Sequence, residues 1–459
     1  MSFPTEFHWG VATSAYQVEG ATAEGGRGRT DWDEFIDRPG TINRGDTAEI
    51  AADHYHRYAE DFDLLTELGV DTYRLSISWT RILPDGTGAV NQEGLQFYST
   101  LIDELLARGI TPFITLAHME LPLPLAENGG WLNRATADAF IEYATVVHEA
   151  FKDRVHHWTT LNEVSLTTWA GYGMTVFPPA LDDKRLVLPA IHNQMIAHSH
   201  AVAKLRAAQP DGTFGIVGSY WPIWTLEEGA DHQAAADKID LLYNRSCVDV
   251  LVTGAYPAEL LAWHEEIGGE DFIQEGDLVH AAGSMDFFGL NYYNPMYVAA
   301  DPAGRGGPGM PTGIGIRQTE PDDVPRSAFG WPIVPEGFRE VLNTIHDRYG
   351  IPVWITENGG AFDDYTAPGG AINDEDRISY LDTHLTAIEG AIEDGVTVLG
   401  YFAWSLIDNF EWAQGYSKRF GLVYVDFATQ QRTPKASFGW YRSKVAAART
   451  VQGELTAVV

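Results

Sequence analysis

Short runs of branched and aromatic apolar residues alternate with amphipathic stretches of helical period along this chain. That alternation constrains its fold more than any other feature. Eight runs read as strands, at 7–17, 72–79, 110–118, 155–163, 213–219, 287–293, 353–357 and 398–405. Helical stretches fall between them, at 55–68, 94–108, 136–151, 188–208, 335–349 and 374–394, the first closed by Gly69. Such repetition builds parallel sheets flanked by helices. Eight units without a break in composition predict a single (β/α)8 TIM barrel over residues 1–459, with long βα loops shaping a pocket. A doubly wound sheet is the alternative, but no G-x-G-x-x-G turn follows the first strand.

Barrels of this kind place chemistry at the carboxyl ends of their strands. The predicted exits hold Gln17 and Glu19, Arg74 to Trp79, His118, Asn162 and Glu163, Ser219, Asn291 to Tyr293, Glu357 and Trp404, nearly all polar or aromatic. Glu357 ends the apolar run Ile351-Pro-Val-Trp-Ile-Thr and is followed by Asn-Gly; Glu163 ends Val155-His-His-Trp-Thr-Thr-Leu-Asn. Burying an unpaired carboxylate is costly, so packing alone does not explain either. One such glutamate fits a structural acid paired with an arginine. Two on separate strand ends predict the paired carboxylates of a retaining glycosidase.

The balance of 64 acidic to 30 basic residues, a formal charge of −34, excludes nucleic acid and anionic membrane surfaces as partners. Cys247 is the single cysteine, so no intrachain disulfide forms. The start has no basic head or apolar signal stretch, and no window reaches a membrane span, so a cytoplasmic protein is expected. Oligomeric state stays open, a homo-oligomer included. His54 with His56, and His156 with His157, lack the spacing for two metal ligands on one face. The longest irregular stretch, about 294–331, is rich in glycine and proline and is expected to form a lid over the site.

Eight segments in order resemble glycoside hydrolase family 1, the β-glucosidase and β-galactosidase family. They are Phe7-His-Trp-Gly-Val-Ala-Thr-Ser-Ala-Tyr-Gln-Val-Glu-Gly20, Asp53-His-Tyr-His-Arg-Tyr58, Tyr73-Arg-Leu-Ser-Ile-Ser-Trp79 and Thr160-Leu-Asn-Glu163. Phe288-Gly-Leu-Asn-Tyr-Tyr293, Ile355-Thr-Glu-Asn-Gly359, Trp404-Ser-Leu-Ile-Asp-Asn-Phe-Glu-Trp412 and Gly415-Tyr-Ser-Lys-Arg-Phe-Gly421 complete the set. The resemblance implies a retaining exo-β-glycosidase, most simply a β-glucosidase, acting on a small glycoside with no metal or organic cofactor. It implies Glu357 as nucleophile, Glu163 as general acid/base, and Arg74 and Tyr293 as groups bonding the nucleophile. Gln17, His118, Asn162, Asn291, Glu411 and Trp412 would surround the sugar, with Trp404 beneath it and Trp331 at the entrance. An anionic Glu357 would raise the pKa of Glu163 and keep a proton ready for the leaving oxygen. Transglycosylation by the same mechanism, or sugar binding without catalysis, are the alternatives. Glu411 would repel a phosphate, which disfavours 6-phosphoglycosides.

The chain departs from the family pattern at four positions. Val164 replaces the usual proline after the acid/base, which would free the backbone of Glu163. Met119 and Glu120 stand where Trp-Asp is usual, and Ser219 replaces an asparagine. These changes predict an unusual preference, for a large aglycone or a branched sugar.

Overall fold

A computed structural model describes residues 3–456. Eight parallel strands close into a barrel: β1 (His8–Ala12), β2 (Thr72–Ser76), β3 (Thr111–Ala117), β4 (His157–Asn162), β5 (Thr213–Ser219), β6 (Phe287–Asn291), β7 (Val353–Asn358) and β8 (Val398–Trp404). Each pairs with its neighbours in chain order and β8 returns to β1, so all eight predicted strands are barrel strands. The six predicted helices are present, from His54–Leu68 to Glu375–Glu393. Local chemistry sets their ends. Gly69, at φ 77°, stops His54–Leu68, and its N–H closes on the Leu65 carbonyl. Asn91 and Asn133 cap the helices that follow them by accepting from Glu93 and Ala135 N–H.

Two expectations need correction. The first strand ends at Ala12, and Ala15–Val18 is a single helical turn, fixed where Ala15 N–H donates to Ser76 Oγ at 2.7 Å. Gln17 therefore projects from that turn and not from a strand. The stretch 294–331 is also not wholly irregular. Met296–Ala300 is the central strand of a small three-stranded sheet, pairing with Ile316–Gln318 on one side and Ile223–Trp224 on the other.

The barrel interior is layered. Phe113, Phe287, Trp354 and Phe402 plug its lower half, with ring centroids 5.1 to 5.7 Å apart between Phe113 and Phe287, Trp354 and Phe402. Glycine is required beside this plug, because a side chain at Gly400 would collide with the Trp354 ring. Above it lies a polar layer of Arg74, Thr115, Thr159, Asn162, Asn291 and Thr356, all buried. The aromatic plug thus closes the barrel from below and leaves the polar layer facing one opening.

Candidate active site

The carboxyl ends of the strands open into a cavity of about 650 Å³. Glu357 stands near the end of β7 and Glu163 directly follows β4, and each comes after a break in strand register. β7 shifts against β6 between Ile355 and Glu357, and β4 shifts against β5 between Thr159 and Asn162. Such a shift takes a side chain off the strand's regular alternation and can re-aim it. Glu163 also holds left-handed backbone angles (φ 51°, ψ 44°), uncommon for a residue with a Cβ.

Glu357 accepts two short hydrogen bonds, from Arg74 Nη1 at 2.6 Å on one oxygen and from the Tyr293 hydroxyl at 2.6 Å on the other. Arg74 is held at every nitrogen: Nη1 also donates to the Thr356 carbonyl (3.1 Å), Nη2 to Asn162 Oδ1 (2.8 Å) and Nε to Thr115 Oγ1 (3.1 Å). A buried ion pair persists only with its remaining hydrogens satisfied, and this one meets that condition. Asn291 extends the network, donating to Asn162 Oδ1 at 3.2 Å and accepting from Thr356 at 2.7 Å.

Glu163 has different surroundings. Burial first, and then the charge of Glu357, push its carboxyl up to about 7, although it accepts a hydrogen bond from Ser219. Glu411 rises to about 8 through burial and through both other glutamates. Gln17 Nε2 reaches Glu411 at 3.3 Å and is held by Asn409 Oδ1 (3.1 Å) and the Phe410 carbonyl (3.0 Å). Ser14 Oγ donates to Gln17 Oε1 at 2.6 Å, which fixes the amide orientation. Burial and nearby Arg74 depress His118 well below the ordinary imidazole range, so its ring is neutral. That ring lies parallel to Trp404 and Trp412, at 5.9 and 6.1 Å. His118 Nδ1 and Asn162 Nδ2 are buried without a protein partner among the described residues. Neutral rings, amides and carboxyls in one cavity suit a ligand with many hydroxyls.

The lining also holds apolar and aromatic residues, Leu166, Trp221, Tyr243, Met296, Phe329 and Trp331. Phe329 stacks on Trp331 at 4.0 Å, and Trp331 lies 5.4 Å from Tyr293. Both belong to the 294–331 stretch, which thus overhangs the site.

The model of glycosyl hydrolase family 1 matches residues 1–450. This chain belongs to that family. It is 43% identical over 447 residues to Beta-glucosidase A of Thermotoga maritima, covering 96% of this chain and 97% of that protein. A bifunctional β-D-glucosidase/β-D-fucosidase of Bifidobacterium breve is 41% identical over 462 residues, with 97% and 98% covered. The solved structure of the Thermotoga maritima β-glucosidase in complex with glucoimidazole superposes with a TM-score of 0.91, covering 97% of this chain and 99% of that one.

In this family 1 chain, Gln17, His118, Met119, Glu163, Ser219, Asn291, Tyr293, Trp331, Glu357, Trp404, Glu411 and Trp412 line one cavity. Arg74 and Asn162 stand directly behind Glu357, joined to each other. Two specificity candidates lie elsewhere. Glu120 does not line the cavity: the turn after His118 folds it inward, where its carboxyl accepts from Met119 N–H at 3.2 Å. Val164 is buried in the core and does not free Glu163, whose N–H donates to the Val217 carbonyl (2.8 Å) and whose carbonyl accepts from Thr167 N–H (2.9 Å). Sequence reading missed Leu166, Tyr243, Met296, Phe329 and Phe420. Apolar residues outside the barrel strands carry no local mark of a site; Tyr243, for instance, sits in a π-helical turn, Asp240–Arg245.

Proposed function

We propose that residues 1–459 form one catalytic domain acting as a retaining exo-β-glycosidase, specifically a β-glucosidase, with Glu357 as nucleophile and Glu163 as acid/base. One observation carries the reading: two buried glutamates share a cavity with opposite surroundings. Glu357 lies between two strong donors, while Glu163 is desolvated and titrates near 7. One carboxylate ready to attack and one carboxyl ready to give a proton are what double displacement needs.

In the first step Glu357 attacks the anomeric carbon as Glu163 protonates the departing oxygen, leaving a glycosyl ester on Glu357. The ester carries no charge, so its repulsion on Glu163 ends. The deprotonated Glu163 then takes a proton from water as that water displaces the ester, and the starting configuration returns. Gln17, His118, Asn162 and Glu411 offer hydrogen bonds to the sugar's hydroxyls, and Trp404 offers a face for its C–H groups. The plugged barrel floor favours a terminal sugar over the middle of a chain. The names of the Thermotoga maritima and Bifidobacterium breve relatives agree with a gluco-configured sugar.

The test is release of 4-nitrophenol from its β-D-glucoside, with product configuration followed by NMR. Glu357→Gly should lose turnover by several orders of magnitude. Added azide should restore it and yield the α-glycosyl azide. The same variant turning over at the wild-type rate rejects the assignment.

A further inference from the structure

Beside the catalytic cavity lies a second one, of about 220 Å³. Among the described residues Met119 alone lines both. Two segments share the partition with it. Leu166 faces the catalytic cavity while Thr167 and Thr168 face the second, and Val176 and Phe177 face the first while Pro178, Pro179 and Leu181 face the second. Met119 is half-buried and packs on the aromatic cluster that includes Trp32 and Trp412. Its predecessor, His118, stands among the sugar-facing groups, so the partition adjoins the glycone end of the site.

The second cavity has room for roughly seven waters at about 30 Å³ each, the scale of one sugar ring. Its walls combine flat apolar surface, Trp131 and Pro179, with the hydroxyls of Thr167 and Tyr172 and the carboxyl of Asp31. Asp31 Oδ1 accepts from Leu121 N–H (2.8 Å) and Trp32 N–H (2.9 Å). Burial, with Glu120 nearby, pushes the Asp31 carboxyl up to about 8, so it faces the cavity as a neutral acid at neutral pH. Apolar faces beside hydroxyls and the carboxyls of Asp31 and Glu127 match a pyranose. A methionine side chain has three rotatable bonds and adapts to whatever fills the space beside it.

We propose that Met119 gates a second glycone-side subsite: swung aside, it joins the two cavities, and the joined space takes a β-glycoside whose terminal glucose carries one further monosaccharide on a ring hydroxyl facing Met119. The enzyme would then release an intact disaccharide. This rests on the reading of the chain as a retaining β-glucosidase.

Three 4-nitrophenyl β-glycosides test it: glucose alone, and glucose bearing a β-glucosyl group on O2 or on O3. The wild type should cleave at least one branched compound, releasing the disaccharide, with kcat/KM within about tenfold of the simple glucoside. Ala126→Phe fills the second cavity without reaching the first. It should lower kcat/KM on the branched compound about tenfold or more while changing the simple glucoside less than about twofold. Leu181→Trp, on the exposed rim, should act in the same direction and guards against misfolding of the first variant. The inference is overturned if the simple glucoside is cleaved and both branched ones are inert, or lose their outer sugar first. It is also overturned if neither variant affects branched turnover. If the wild type leaves the simple glucoside uncut as well, the β-glucosidase reading falls, and this one with it.

Discussion

Ser219, the last residue of β5, donates its hydroxyl hydrogen to Oε1 of Glu163. A donor favours the charged form, so this bond works against the burial and the Glu357 charge that raise the acid. Glycosyl transfer needs Glu163 protonated, and activity should fall as pH rises through about 7. Ser219→Ala removes the opposing bond and should move that alkaline limb of kcat/KM to higher pH. The shift should be up to about one unit, the worth of one hydrogen bond. A limb that stays in place would show that Ser219 does not act on the acid.

Glu163→Gln keeps the shape and removes the proton. Alkyl glucosides, whose leaving groups need protonation, should lose roughly 10²–10⁴-fold in kcat/KM. The cost on 2,4-dinitrophenyl glucoside should be far smaller, and the alkaline limb should vanish from the pH profile. Equal losses on both substrates would rule Glu163 out as the acid.

Glu411→Ser should weaken glucosides selectively. A hydrogen bond from a sugar hydroxyl to a neutral carboxyl is worth roughly 0.5–1.5 kcal/mol, or about 2- to 13-fold in kcat/KM. The loss should shrink on a 4,6-dideoxy substrate, which has no hydroxyls to offer. An undiminished loss there would place Glu411 away from that edge of the sugar.

Stability depends on a separate charge cluster behind the loop after β8. Lys435 is fully buried between Asp364 (2.5 Å) and Asp408 (2.8 Å). Arg377 pairs with Asp364 and Asp374, and Arg419 with Asp408. Lys435→Ala leaves buried carboxylates short of a partner and should cost about 3–5 kcal/mol, measured as a lower denaturant midpoint.

The eight strands were legible because each is a compact apolar run between helical stretches. The first was read too long because nothing in 7–17 breaks a strand; a tertiary bond from Ala15 to Ser76 turns the chain at that point. The stretch 294–331 reads as a loop because its strands are short, and the first of them also pairs with Ile223–Trp224, more than seventy positions upstream. The two glutamates were visible because a carboxyl group at the end of an apolar run has no packing explanation. Their orientation was not visible, since register shifts and a left-handed backbone leave no trace in composition. Met119 departs from the family pattern, but the second cavity behind it also needs segments remote in sequence, around residues 31, 167 and 181.

Arg74 leaves β2 and bonds to groups on β3, β4 and β7, so one guanidinium links strands from opposite sides of the barrel. The Arg74 side of Glu357 is therefore aligned by the closed barrel, while Tyr293, just past the end of β6, holds its other oxygen. Heating that parts the strands breaks the Arg74 contacts of the nucleophile at the same time. Turnover and backbone structure should disappear together along one melting curve, and a variant that tightens the barrel anywhere along its staves should extend the working temperature by the same margin.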